Sequence, residues 1–103
     1  MRVRAFVPDL MDASRLRAQG VSVDFVSEPA RLLDGEAELF VVDLARPGAL
    51  EAICGGSANP GRIVGFAPHG DREAIAAALE AGCDQALVRS VFFRRFPDLG
   101  DDT

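Results

Sequence analysis

Apolar residues in this chain come in short runs rich in β-branched and aromatic types, and between them lie stretches whose apolar positions recur at helical spacing. The runs VRAFV (3–7), VSVDFV (21–26), ELFVVD (38–43), RIVGFA (62–67) and QALVR (85–89) predict five strands. ELFVVD and RIVGFA are almost unbroken apolar, as central strands covered on both faces should be. VSVDFV is interrupted by Ser22 and Asp24 and reads as an edge. Strands alternating with helices along the whole length predict an α/β fold, a parallel sheet layered between helices. Right-handed crossovers then give the strand order 2-1-3-4-5.

The helices carry their own start and stop signals. In DREAIAAALEAG, Asp71 can cap, Glu73 suits the positive end of the dipole, Ile75, Ala78 and Leu79 share a face, and Gly82 can terminate. SEPARLLDG predicts a short second helix, with Ser27 as cap, Pro29 in the first turn and Gly35 as stop. A first helix is expected within 10–20 and a third within 47–56, ending at Gly20 and Gly55. In the last segment Ser90 can cap VFFRRF, and Pro97 limits that helix to about two turns.

Length and charge narrow the function. A chain of 103 residues, 49% apolar, suits a single domain, 1–103, with one core and no room for a second domain. A formal net charge of −5 repels phosphate backbones and anionic lipid, so neither a nucleic acid nor a membrane is expected as partner. No apolar stretch approaches the roughly 20 residues of a membrane span, and the arginines of MRVRAFVPD lead into no long apolar region. A cytoplasmic protein is expected. Cys54 and Cys83 have neither metal-site nor disulfide-scaffold spacing and read as reduced, buried thiols. The glycines of CGGSANPGR lack the lysine of a phosphate-binding loop.

In a sheet of this order the carboxyl ends of the strands form the functional edge, with a crevice beside strands one and three. Pro8 and Asp9, then Asp43, then Ala67, Pro68 and His69, then Arg89 and Ser90 fall there. Two carboxylates and a guanidinium would meet, although Asp9 and Asp43 could equally be loop starts or helix caps. His69, the single histidine, could act as a base or phosphoacceptor, or simply open the fourth helix.

At these positions the chain resembles the receiver domains of response regulators, the CheY-like family of two-component signalling. FAPHGDREAIAAALEAGCDQALVRS is similar to the family's fourth strand, fourth helix and fifth strand, and LFVVDLARPG to its third strand with the phosphoacceptor aspartate. The resemblance covers essentially the whole chain. It implies a flavodoxin-like (βα)5 three-layer sandwich with a short last helix, and it places the phosphoacceptor on Asp43. It also implies a degenerate switch. Of the family's two adjacent magnesium-binding acids only Asp9 is present, with Pro8 before it. The switch hydroxyl falls on Ala67, and the lysine after strand five on Arg89.

Asp9 and Asp43 could hold magnesium weakly with a loop carbonyl and waters, and no other cofactor is implied. Charge-assisted hydrogen bonds are worth roughly 1.5–3 kcal/mol each. Inverting a two-state population takes about 5.5 kcal/mol, so losing the hydroxyl and altering the cation removes most of that drive. Arg89 would instead pair internally with Asp43.

Phe92, Phe93, Phe96 and Leu99 crowd a helix expected to be too short to bury them all easily, so the segment either closes the core against strand five or leaves an exposed aromatic face, rimmed by Arg94 and Arg95, for the homodimer or protein partner expected here. The leading expectation is a stand-alone receiver-like interaction module of bacterial signalling that works independently of phosphorylation, without an output domain of its own. The alternatives are an atypical single-domain response regulator phosphorylated on Asp43, and a small enzyme or ligand-binding domain using the Asp9, Asp43, His69 and Arg89 crevice. No nucleophile with its base is recognisable, so catalysis is not expected.

Overall fold

The five β-rich runs become the strands of one parallel sheet in the computed structural model, which describes residues 2–54 and 61–96. The strands are β1 (Arg2–Phe6), β2 (Ser22–Phe25), β3 (Leu39–Asp43), β4 (Arg62–Ala67) and β5 (Gln85–Val88), in the order β2-β1-β3-β4-β5. β3 and β4 are central, and β2, with alternate residues exposed, is an edge, as their patterns predict.

Side chains alternate across the sheet, so each apolar strand feeds two cores. On one face Leu39 and Val41 pack with Val3, Ala5, Val64 and Phe66, beneath α1 (Leu10–Arg17) and α4 (Arg89–Arg95). On the other, Phe40 and Val42 pack with Phe6, Leu32, Ile53 and Ala78, beneath α2 (Ala49–Cys54) and α3 (Arg72–Ala81). α3 keeps its expected signals. The Asp71 carboxylate accepts from the Ala74 amide, and Gly82 closes the helix at φ +116°, a conformation that suits glycine. Leu79, expected on the buried stripe, lies at its rim and is largely exposed. Cys83 is buried, which pushes its thiol pKa up to about 11 and keeps it protonated at neutral pH. The side chain of Cys54, the loop 55–60 including the stop expected at Gly55, and Pro97 and Leu99 lie outside the described residues.

Three local expectations are corrected. The second helix is a 3-10 helix, Pro29–Asp34, preceded by Glu28 rather than capped by Ser27. The side chain of Arg4 caps the C-terminal half of this helix: its Nε donates to the Leu32 carbonyl at 2.9 Å and its Nη2 to that of Arg31 at 2.8 Å, giving terminal carbonyls partners other than helical amides. α4 begins at Arg89 itself, with Val88 in the cap position, so Ser90 is inside the helix and Arg89 is not a strand residue.

The third correction concerns the aromatic segment. Phe92, Phe93 and Phe96 are 0%, 5% and 3% exposed, so they form core and not a docking face. Positions i, i+1 and i+4 span only about 100° of a helix, one stripe and not two opposed faces. Phe66 of β4 stacks on Phe92 at 4.9 Å between centroids, Phe93 meets Phe92 edge-on at 4.9 Å, and the Arg15 guanidinium of α1 lies 4.0 Å over the Phe93 ring. The homodimer expected through these rings therefore loses its basis. Among the described residues no helix is long and apolar enough to cross a membrane.

Candidate functional site

At the carboxyl edge of the sheet a crevice of about 240 Å3 is lined by Asp9, Asp12, Asp43, Ala45, Arg46, Pro47, Phe66, Pro68 and Arg89. Asp9 follows β1 and caps α1. Its Oδ1 accepts from the Asp12 amide at 3.0 Å, and that bond, more than any other influence, holds the Asp9 carboxyl below the usual carboxylate range. Its role as a cap and its place in the crevice, open alternatives in the sequence, are one arrangement.

Asp43 ends β3 and is buried. Its Oδ1 accepts from the Ala45 amide at 3.1 Å, an aspartate turn two residues on, and its Oδ2 accepts from Arg46 Nε at 3.3 Å. The cation on Asp43 is thus Arg46, and the expected Asp43–Arg89 pair is corrected. Arg89 donates from Nη2 to Oδ1 of Asp12, across the crevice from α4 to α1. That hydrogen bond, with the charges of Asp12, Asp9 and Asp43, makes the guanidinium hold its proton more tightly than usual. Oδ2 of Asp12 is buried with no hydrogen-bond partner among the described residues.

Of the residues expected here, Asp9, Asp43 and Arg89 converge. Ala67 is fully buried in the core on the α2/α3 side, and His69 is exposed in the turn before α3; neither lines the crevice. The reading of the crevice as a site built with His69 loses that residue. Asp12 and Arg46 are the residues that sequence reasoning missed, and their signal is spacing. Each follows a recognised aspartate by three positions, Asp12 after Asp9 and Arg46 after Asp43, and one turn of chain returns a side chain to the same edge.

Magnesium demands near-octahedral oxygen ligation. One oxygen of Asp9, both of Asp43 and one of Asp12 already accept from amides or guanidiniums. Among the described residues no group of three His, Cys, Asp or Glu side chains is placed to hold a metal ion. A magnesium ion on Asp9 and Asp43 would therefore have two carboxylates at most, each sharing its oxygens with the bonds from Asp12, Ala45 and Arg46. Chemically the crevice is a set of three carboxylates facing two guanidiniums, one negative charge in excess.

Comparison with protein-family models and with curated protein sequences finds no match. Solved structures do match the fold. A response regulator from Hahella chejuensis is 17% identical, over 97% of this chain and 92% of that one, with a TM-score of 0.75. The BeF3-activated DrrB receiver domain is 16% identical over 98% and 97%, at 0.75. The receiver domain of Ssk1 from Saccharomyces cerevisiae, solved with the histidine phosphotransfer protein Ypd1, is 17% identical over 98% and 89%, at 0.73. The chain has the flavodoxin-like fold of response-regulator receivers.

Proposed function

We propose that this chain is a receiver-like protein-interaction module of bacterial cytoplasmic signalling, acting through protein contacts and not through phosphorylation of Asp43. One observation carries the reading: the carboxylate in the phosphoacceptor position is buried and committed to Arg46, while the cation at the end of β5 is committed to Asp12. To accept a phosphoryl group, an Asp43 oxygen has to attack with a lone pair left over from its bonds to Ala45 and Arg46, and the charge of Arg89 is already paired with Asp12. Ala67 brings no hydroxyl to a phosphorylated state, and its side chain is in the core. A switch with neither stabilising contact gains little free energy for a population shift. The receiver solved with a phosphotransfer protein supports protein docking as the use of the fold.

Affinity capture of partners with wild type and Asp43→Asn, together with intact-mass measurement after incubation with a small phosphodonor and magnesium, tests the reading. The expected outcome is the same partner set for both proteins and no mass increase. A phosphate adduct on wild type that is absent from Asp43→Asn, with partners changing accordingly, would replace this function with that of a phosphorylated response regulator.

A further inference from the structure

The buried carboxylate of Asp12 has a use that the interaction reading does not need. Its side chain is 2% exposed while that of its partner Arg89 is 44% exposed, so the acid is fixed inside and the guanidinium reaches in from the rim. The residues stand 77 positions apart, Asp12 in the first turn of α1 and Arg89 opening α4. Asp9 and Asp43 line the same cavity, so three carboxylates would repel one another there without a cation. Two facts mark the place as a cation seat. One Asp12 oxygen is occupied by a guanidinium, and the other faces no donor although water does not reach it.

We propose that Arg89 is the built-in cation of this crevice, occupying against Asp12 the place that a divalent metal ion would take in an acidic cavity of this kind. A guanidinium keeps its charge at any pH at which the chain is folded, and its planar fork can hold a carboxylate in fixed geometry. Arg46 does the corresponding work for Asp43, through a single contact of 3.3 Å. Two of the three carboxylates are thereby paired from within, and α1 is fastened to α4 across the crevice. Folding then requires no metal. The inference stands apart from the proposed function: partner capture can fail while it holds, and the reverse.

Thermal unfolding in magnesium or manganese, at constant ionic strength, tests it. Wild type should unfold at the same temperature with and without either ion, since an ion that finds no seat gives no mass-action stabilisation. Arg89→Gln should unfold at least about 5 °C lower and recover part of the loss when either ion is added, because the Asp12 carboxylate is then open beside Asp9 and Asp43. Asp12→Asn combined with Arg89→Gln removes the stranded charge and should recover most of the stability while ignoring both ions. A rise in the wild-type unfolding temperature with metal would overturn the proposal. So would an Arg89→Gln protein that is neither destabilised nor metal-responsive. If Arg89→Gln does not fold, the double variant decides alone: a folded, metal-indifferent protein supports the built-in cation, and one that also fails to fold makes Arg89 a packing residue.

Discussion

α4 contributes to two regions of opposite character within two turns of chain. At its start Arg89 enters a polar crevice with half its side chain in solvent. Three residues later Phe92 is fully buried among Phe66, Phe93 and Phe96. The aromatic region is held chiefly by burial and ring contacts, which do not titrate and which charge screening does not weaken. Charges hold the crevice together, in pairs whose worth depends on desolvation and on the protonation of carboxylates. One helix therefore ties a tolerant anchor to a conditional one, and each half can be broken separately.

The largest break is expected in the aromatic half. Phe92→Ala empties the centre of a four-ring cluster, and a buried Phe→Ala change costs about 3–5 kcal/mol through lost burial and the cavity left behind. For a domain of this size that lowers Tm by roughly 15 °C or more. Chemical denaturation at low and high salt should show the same loss. A loss below about 1 kcal/mol would mean the rings are not packed as described and would reopen the exposed face that the sequence suggested.

A smaller effect is expected from the Arg46–Asp43 pair, whose single contact is 3.3 Å long. Arg46 is substantially solvent-exposed, and such pairs contribute about 0–1 kcal/mol, screened by salt. Arg46→Gln should destabilise slightly more than this range suggests, because it leaves the buried Asp43 carboxylate with only the Ala45 amide on its described bonds. The loss should shrink as salt rises, in contrast to Phe92→Ala. Equal losses at all salt concentrations would show that Arg46 acts through its packing stem and not through its charge.

What could be read without coordinates follows the same division. Strand order, the two central strands, the α3 cap at Asp71 and its Gly82 stop were legible, because each rests on a periodicity or a local bond within a few residues. For the aromatic stripe the sequence leaves core closure and an exposed face both open, and the angular arithmetic that decides for closure is local: Phe92, Phe93 and Phe96 crowd one side of a helix. The crevice was only half legible. Asp9, Asp43 and Arg89 were found at the strand ends, but which acid each arginine takes depends on how α1 and α4 are set across the sheet, a relation between residues 77 apart. The cap on Pro29–Asp34 has the same character, since the arginine that takes its terminal carbonyls belongs to β1.

The smallest expected effect sharpens the comparison through pH. Asp9 accepts the Asp12 amide as the cap of α1, and that bond lowers its pKa from the ordinary 3.8. A carboxyl whose folded pKa lies below its unfolded one binds its proton more weakly when folded, so the unfolded chain takes up more protons as pH drops. Its contribution is therefore complete above the unfolded value and fades as pH falls through the folded one, a window that begins near 3.8 and extends below it. Asn caps a helix about as well as Asp and does not titrate, so Asp9→Asn leaves the bond to the Asp12 amide while removing the proton linkage. At neutral pH the variant should differ little from wild type. Over acid-unfolding curves followed by circular dichroism, its stability should decline less steeply through that window, whereas Phe92→Ala should keep the wild-type slope from a lower starting point. Parallel curves for Asp9→Asn and wild type would mean that Asp9 titrates alike in the folded and unfolded chain, and that its cap bond carries no proton linkage.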